Sequence, residues 1–155
     1  MHFESLVIRK RVYGDDHPAV ATQLNNIASV LKDQGKLEEA LKMMYEGLVI
    51  DKRVYGDDHP NVAIDLNNIA SVLKAQGKLD EALKMHYEAL AIDKRVYGDD
   101  HPDVAINLNN IAVVLRTKDE NSAEAVRLGR QALAIVERAL GTDHPTTQQY
   151  RRYWA

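Results

Sequence analysis

Between Pro18 and Gln34 the apolar residues Val20, Leu24, Ile27, Ala28 and Leu31 recur at helical spacing. At about 100° per residue they gather on one side, with Thr22, Asn25, Asn26, Ser29 and Asp33 opposite. Gly35 interrupts the pattern, and Leu37 to Tyr55 reads as a second helix with two neighbouring stripes. One is Leu37, Leu41, Met44 and Leu48; the other is Ala40, Met43, Gly47, Ile50 and Val54. An apolar arc that wide has to be covered from two sides. In a stack of helix pairs those sides are its own partner and the first helix of the next pair.

The pattern repeats almost verbatim. Val12–Arg53 and Val54–Arg95, offset by 42 residues, differ at eight positions, and a third copy opens identically at Val96–Pro102. Its helices are expected over Pro102 to Thr117 and Ser122 to Leu140. The turn between them, Thr117 to Asn121, is one residue longer and lacks the helix-ending glycine. A fixed period of this size marks a stacked repeat array. The expected division is a single repeat domain over 1–155: a half-repeat at 1–13, repeats at about 14–55, 56–97 and 98–140, and a terminal capping half-repeat at 141–155.

The punctuation supports this parsing. Gly14-Asp15-Asp16-His17-Pro18 recurs at 56–60 and 98–102. Glycine suits the residue that ends a helix, and proline suits the first turn of the next. Asp or His before that proline supplies an N-cap acceptor.

Composition narrows the function. The net charge of −3 and a pI near 6.1 give no electrostatic case for nucleic acid or an anionic membrane. There is no cysteine, and no apolar run approaches the roughly 18 residues of a membrane span, so a cytoplasmic protein is expected.

Leu24, Ile27, Ala28 and Leu31, followed by Gly35, Ala40 and Gly47 (Ala89 and Ala132 in later copies), resemble the tetratricopeptide repeat signature of large and small positions. The words Asp-His-Pro, Leu-Asn-Asn-Ile-Ala and Gln-Gly-Lys-Leu-Asp-Glu-Ala-Leu are similar to the 42-residue variety of kinesin light chains. Leucine stands for the usual first-helix aromatics, Met44, His86 and Gly129 for the second-helix aromatic, and Lys52 and Lys94 for the usual terminal proline. The resemblance implies an all-α, right-handed superhelical solenoid of antiparallel helix pairs, with about eight helices. It also implies a non-enzymatic module that binds a protein or extended peptide in a concave groove.

The residues expected to line that groove are Thr22, Asn25, Asn26, Ser29 and Lys32 in the first copy, and Ile64, Asn67, Asn68, Ser71 and Lys74 in the second. The third copy supplies Ile106, Asn109, Asn110, Val113 and Arg116. Mid-helix asparagine costs several tenths of a kcal/mol relative to alanine, so its recurrence calls for a reason. An amide can donate to a carbonyl and accept from an N–H of a bound main chain. The structural alternative is that the amides bond between adjacent helices and stiffen the stack. Lys32, Lys74 and Arg116 would favour an acidic peptide, or simply complement the helix dipoles. The Asp-Asp-His clusters carry metal-ligand types but sit at helix starts roughly 10 Å apart, so capping accounts for them and no metal or other cofactor is expected. His86 is expected to be a packed core histidine, and no nucleophile–base pair or phosphate loop is readable. The alternative function is self-association through the terminal helices, with Phe3, Leu6 and Val7 at one end and Tyr150, Tyr153 and Trp154 at the other.

Overall fold

The computed structural model describes residues 2–155 as eight α-helices, with no strand among them. In chain order these are α1 (His2–Tyr13), α2 (Pro18–Asp33), α3 (Leu37–Tyr55) and α4 (Pro60–Ala75). They are followed by α5 (Leu79–Tyr97), α6 (Pro102–Lys118), α7 (Ala123–Leu140) and α8 (Pro145–Trp154). Met1, which opens the expected half-repeat, lies outside the described residues.

Helix ends fall where the punctuation requires. Prolines 18, 60, 102 and 145 occupy first-turn positions, where a missing N–H costs nothing. Gly56 closes α3 with φ 85° and ψ 170°, a conformation essentially reserved for glycine, while its N–H caps Lys52 O. In the longer third turn, Asp119 does the work without glycine. Its Oδ1 accepts from Asn121 N at 3.0 Å, and Ser122 then caps α7 by accepting from Ala125 N at 3.2 Å.

Two units form, Met1–Lys78 and Leu79–Ala155. In the first, α2 and α3 form the central pair, α1 lies against α2, and α4 against α3. Short turns between packed neighbours make each pair antiparallel. Its core is the expected stripe: Val20, Leu24, Ile27, Ala28 and Leu31 of α2, with Ala40, Leu48 and Ile50 of α3 and Val62, Leu66 and Ile69 of α4. In the second unit α6 and α7 are the central pair, flanked by α5 and α8. There Leu108 and Ile111 of α6 pack with Leu128, Ala132 and Ile135 of α7 and Tyr150 and Trp154 of α8.

The last two residues correct an expectation. Tyr150 and Trp154, expected at an exposed self-association end, are instead mostly buried within their own unit; Tyr153 stays exposed. Trp154 occupies the register of Ile27, Ile69 and Ile111, and its larger ring fits because α7 carries glycine at the position of Met44 and His86. A Cβ on Gly129 would lie 2.1 Å from Trp154 Cδ2. The Trp154 Nε1 donates to Asn109 Oδ1 at 2.8 Å, and its carbonyl accepts from Arg130 Nε at 3.2 Å. Leu6 is likewise buried, whereas Phe3 and Val7 remain exposed.

Two glycine-to-alanine changes should therefore act in opposite directions. Gly129→Ala should destabilise by about 1–3 kcal/mol through overpacking and red-shift the fluorescence of the single tryptophan. Gly47→Ala, whose Cβ would first meet Asn25 Oδ1 at 3.4 Å and whose counterpart is Ala89, should stabilise by about 0.5–1 kcal/mol. Urea unfolding of both variants checks the pair.

Candidate functional site

The Asp-Asp-His turns are capping devices. Each histidine is the N-cap and accepts through Nδ1 from the backbone two residues on: His17 from Ala19 at 3.0 Å, His59 from Asn61 at 3.1 Å, His101 from Asp103 at 3.1 Å and His144 from Thr146 at 3.2 Å. Tyr13, Tyr55 and Tyr97 stack on the first three rings at centroid distances of 4.5, 4.2 and 4.2 Å. The invariant Tyr-x-x-x-His spacing carries that signal in the sequence. Within these turns Asp16 pairs with Arg53 at 2.6 Å and Asp100 with Arg138 at 2.5 Å, fully at the surface. No group of three or more His, Asp or Glu among the described residues is arranged to hold a metal ion. His86 is buried, as expected of a packed core histidine.

The asparagine pairs divide. The first member of each has a partner. Asn25 of α2 donates to Asp65 Oδ1 of α4 at 2.6 Å, and Asn109 of α6 accepts from Trp154 of α8. Asn67 is partnered as well. Asn25 and Asn109 thus each tie a first helix to the next one within their own unit. The second members differ: Asn26 is exposed, Asn68 and Asn110 are half-buried, and the side chains of all three lack a partner among the described residues.

These second asparagines lie on a stripe of period three to four along each first helix. In the first unit the stripe holds exposed Thr22, Asn26 and Ser29 on α2, and Ile64, Asn68 and Ser71 on α4. Thr22 Oγ1 donates back to Pro18 O at 3.1 Å. Lys32 donates to Ser71 Oγ at 2.5 Å, bridging the two helices, and Lys74 is half-buried. In the second unit the stripe holds Ile106, Asn110 and Val113 of α6. Tyr153 of α8 stands in the register of Asn110 and is exposed. Arg116 donates to Tyr153 O at 3.5 Å and lies 5.5 Å from the centre of the Trp154 ring. Val113, Arg116, Thr117, Glu120, Tyr153 and Trp154 line an open cleft of about 430 Å³. Two of the three basic residues expected to set charge preference are thus engaged within the chain.

Exposed Ile64 and Ile106, at 57% and 44% of their surface, share the register of Thr22, one of the eight positions at which the first two copies differ. The structure also shows a buried polar layer that the sequence reading missed. Asp51, Asp65, Asp93 and Asn107 sit where a second helix meets the following first helix.

An all-α array of repeated helix pairs, with its amides divided between stacking and an outward stripe, is the class these features define. The family model described as tetratricopeptide repeat matches residues 20–95 and 64–138. The chain belongs to the tetratricopeptide repeat family. No curated protein sequence matches it. Among solved structures it is similar to the nearly identical tetratricopeptide-like repeats of a putative kinesin light chain from Podosopora anserina. There the TM-score is 0.79 at 20% identity, covering 97% of this chain and 70% of that one. It is also similar to BtubC (BKLC) from P. vanneervenii, with a TM-score of 0.82 at 23% identity, covering 96% of this chain and 59% of that one. At these identities the likeness is one of fold. Among the described residues, no helix is long and apolar enough to cross a membrane.

The division of the asparagine pairs is testable without a ligand. Asn25→Ala should cost about 1–2 kcal/mol by removing a donor to buried Asp65. Asn26→Ala should be neutral or stabilise by a few tenths, since alanine is the better helix former. Equal losses in urea unfolding would show that both amides are structural.

Proposed function

We propose that this chain is a non-catalytic binding module in which each unit holds an extended protein segment against the outward stripes of its own first helices. The observation that carries this reading is the set of amides left over after stacking. Asn26, Asn68 and Asn110 have no side-chain partner among the described residues, at a register where alanine would make the better helix. Each can donate and accept at once, which suits a main chain of any sequence. Ile64 and Ile106 lie one helical turn earlier on their stripes and supply apolar contact beside the amides. In the second unit Tyr153 and the cleft beside Arg116 extend the stripe with an aromatic face. Membership of the tetratricopeptide repeat family supports a protein-interaction role in general.

Peptides selected from an unbiased library against the whole chain provide the probe. Changing Asn68 and Asn110 together to alanine should lower affinity by about 1–3 kcal/mol, with unfolding midpoints little changed. Unaltered binding would overturn the reading. Repeating the titration across physiological salt tests an acidic preference: Lys74 and Arg116 would make binding weaken as salt rises, and a flat response would remove them from the site.

One observation favours self-association as a second reading. Ile8 is 61% exposed, whereas Ile50 and Ile92 at the same register are 3% and 2% exposed. With Phe3, Val7 and Val12 it forms an uncovered apolar face on α1. Light scattering over a concentration series should show association that Ile8→Glu abolishes. A monomer at every concentration, or association untouched by the change, would rule this out.

A further inference from the structure

The α3–α4 junction contains two carboxylic acids where a dry helix interface would be expected. Asp51 is 6% exposed and Asp65 is 1% exposed. Asp65 Oδ1 is occupied by the amide of Asn25 from α2. Asp65 Oδ2 and Asp51 Oδ1 are buried with no donor among the described residues. Two ionised carboxylates here would be like charges in a low-dielectric site, each with an orphaned oxygen.

The equivalent junction of the second unit shows how these atoms are meant to meet. Asp93 and Asn107 stand in the registers of Asp51 and Asp65, and Asn107 Nδ2 donates to Asp93 Oδ2 at 2.6 Å. Replacing that amide by a carboxyl removes the hydrogen that joins the two side chains. One added proton restores it, converting one acid to a donor and satisfying both orphaned oxygens at once. We propose that Asp51 and Asp65 share a single proton across the α3–α4 junction, and that this proton makes the packing of α4 on α3 sensitive to pH.

The surroundings agree. Burial pushes the Asp65 carboxyl up to about 7, aided by the Asp51 carboxyl and opposed by the Asn25 hydrogen bond. Burial also raises Asp51, opposed by its bond to Asp65 and by His59 in the α3–α4 turn. Asn25 from α2, Asp51 from α3 and His59 from the turn are the polar groups that act on the pair. A folded value above the unfolded one, near 4 for a free aspartate, means the native state holds the proton more tightly. The stabilisation is therefore complete below about pH 4 and is lost as pH rises through about 7.

The test compares urea unfolding of the whole chain with that of Asp65→Asn, which recreates the Asp93–Asn107 arrangement, at intervals from about pH 5 to pH 8.5. Relative to the variant, the native chain's folding equilibrium constant should fall about tenfold per pH unit up to about pH 7 and then level off, the slope of one proton. Asp51→Asn should flatten the profile in the same way. Carbon NMR of the native chain gives a readout independent of any variant: the Asp65 carboxyl should titrate near neutrality. Parallel pH profiles in chain and variants, or an Asp65 carboxyl that titrates in the ordinary aspartate range, would overturn the proposal. So would a profile that moves on adding magnesium or calcium chloride, because the pair would then be holding a cation.

Discussion

The structure depends on the contact between a second helix and the first helix that follows it. A single helix pair cannot bury the wide apolar arc of its second helix, so every pair needs that contact to fold. The same two sequence registers recur in the helices of each such junction. They hold Arg9 and Gln23 between α1 and α2, and Asp51 and Asp65 between α3 and α4. Asp93 and Asn107 hold them between α5 and α6, and Val136 and Tyr150 between α7 and α8. Four junctions of equivalent register thus carry four chemistries. The last is the most apolar: Val136 and Tyr150 are buried in one core, and burial pushes the Tyr150 phenol up to about 12. The others keep a polar group in the interior. A buried polar pair contributes little net stability but penalises any shift that separates the partners. In an array of near-identical helices, where sliding by one register meets similar apolar surfaces, that penalty selects one alignment.

Much of this was legible because the determinants are local. Proline fixes each first-helix start, glycine most of the stops, and the helices observed at Pro18–Asp33 and Leu37–Tyr55 lie within a residue of the spans read from the periodicity. The apolar stripe Leu24, Ile27, Ala28 and Leu31 is buried as its spacing requires. What escaped are contacts fixed by two positions far apart in sequence. Trp154 looked like a sticky end because its tail is polar, yet its register is that of Ile111, and Gly129 supplies the missing volume. Asp51 lies in an Ile-Asp-Lys-Arg run that reads as helix surface, and only the junction shows that it points inward.

The asparagine pairs show the limit most clearly. Asn25 and Asn26 are chemically the same, and a rotation of about 100° separates them on the helix. That rotation sends one to Asp65 and leaves the other facing out. Periodicity resolves a face of roughly that width and no better, so it could mark the pair as unusual without assigning either member. The partners decide, and they lie in the next repeat.

The eight differences between the first two copies can be sorted on the same terms. Ala19/Asn61, Asp33/Ala75, Glu38/Asp80 and Val49/Ala91 fall at positions exposed or half-exposed in both copies, where substitution meets mostly water. Gly47/Ala89 and Met44/His86 fall inside the packing, and each must be accommodated by neighbours. Gln23/Asp65 changes a junction, and Thr22/Ile64 changes the outward stripe from hydroxyl to hydrocarbon. The outward asparagine recurs unchanged at Asn26, Asn68 and Asn110 while the residue one turn before it varies. On the proposed reading this separates two tasks. A recurring amide grips what every extended chain has in common, its backbone, and the varying neighbour distinguishes one bound side chain from another.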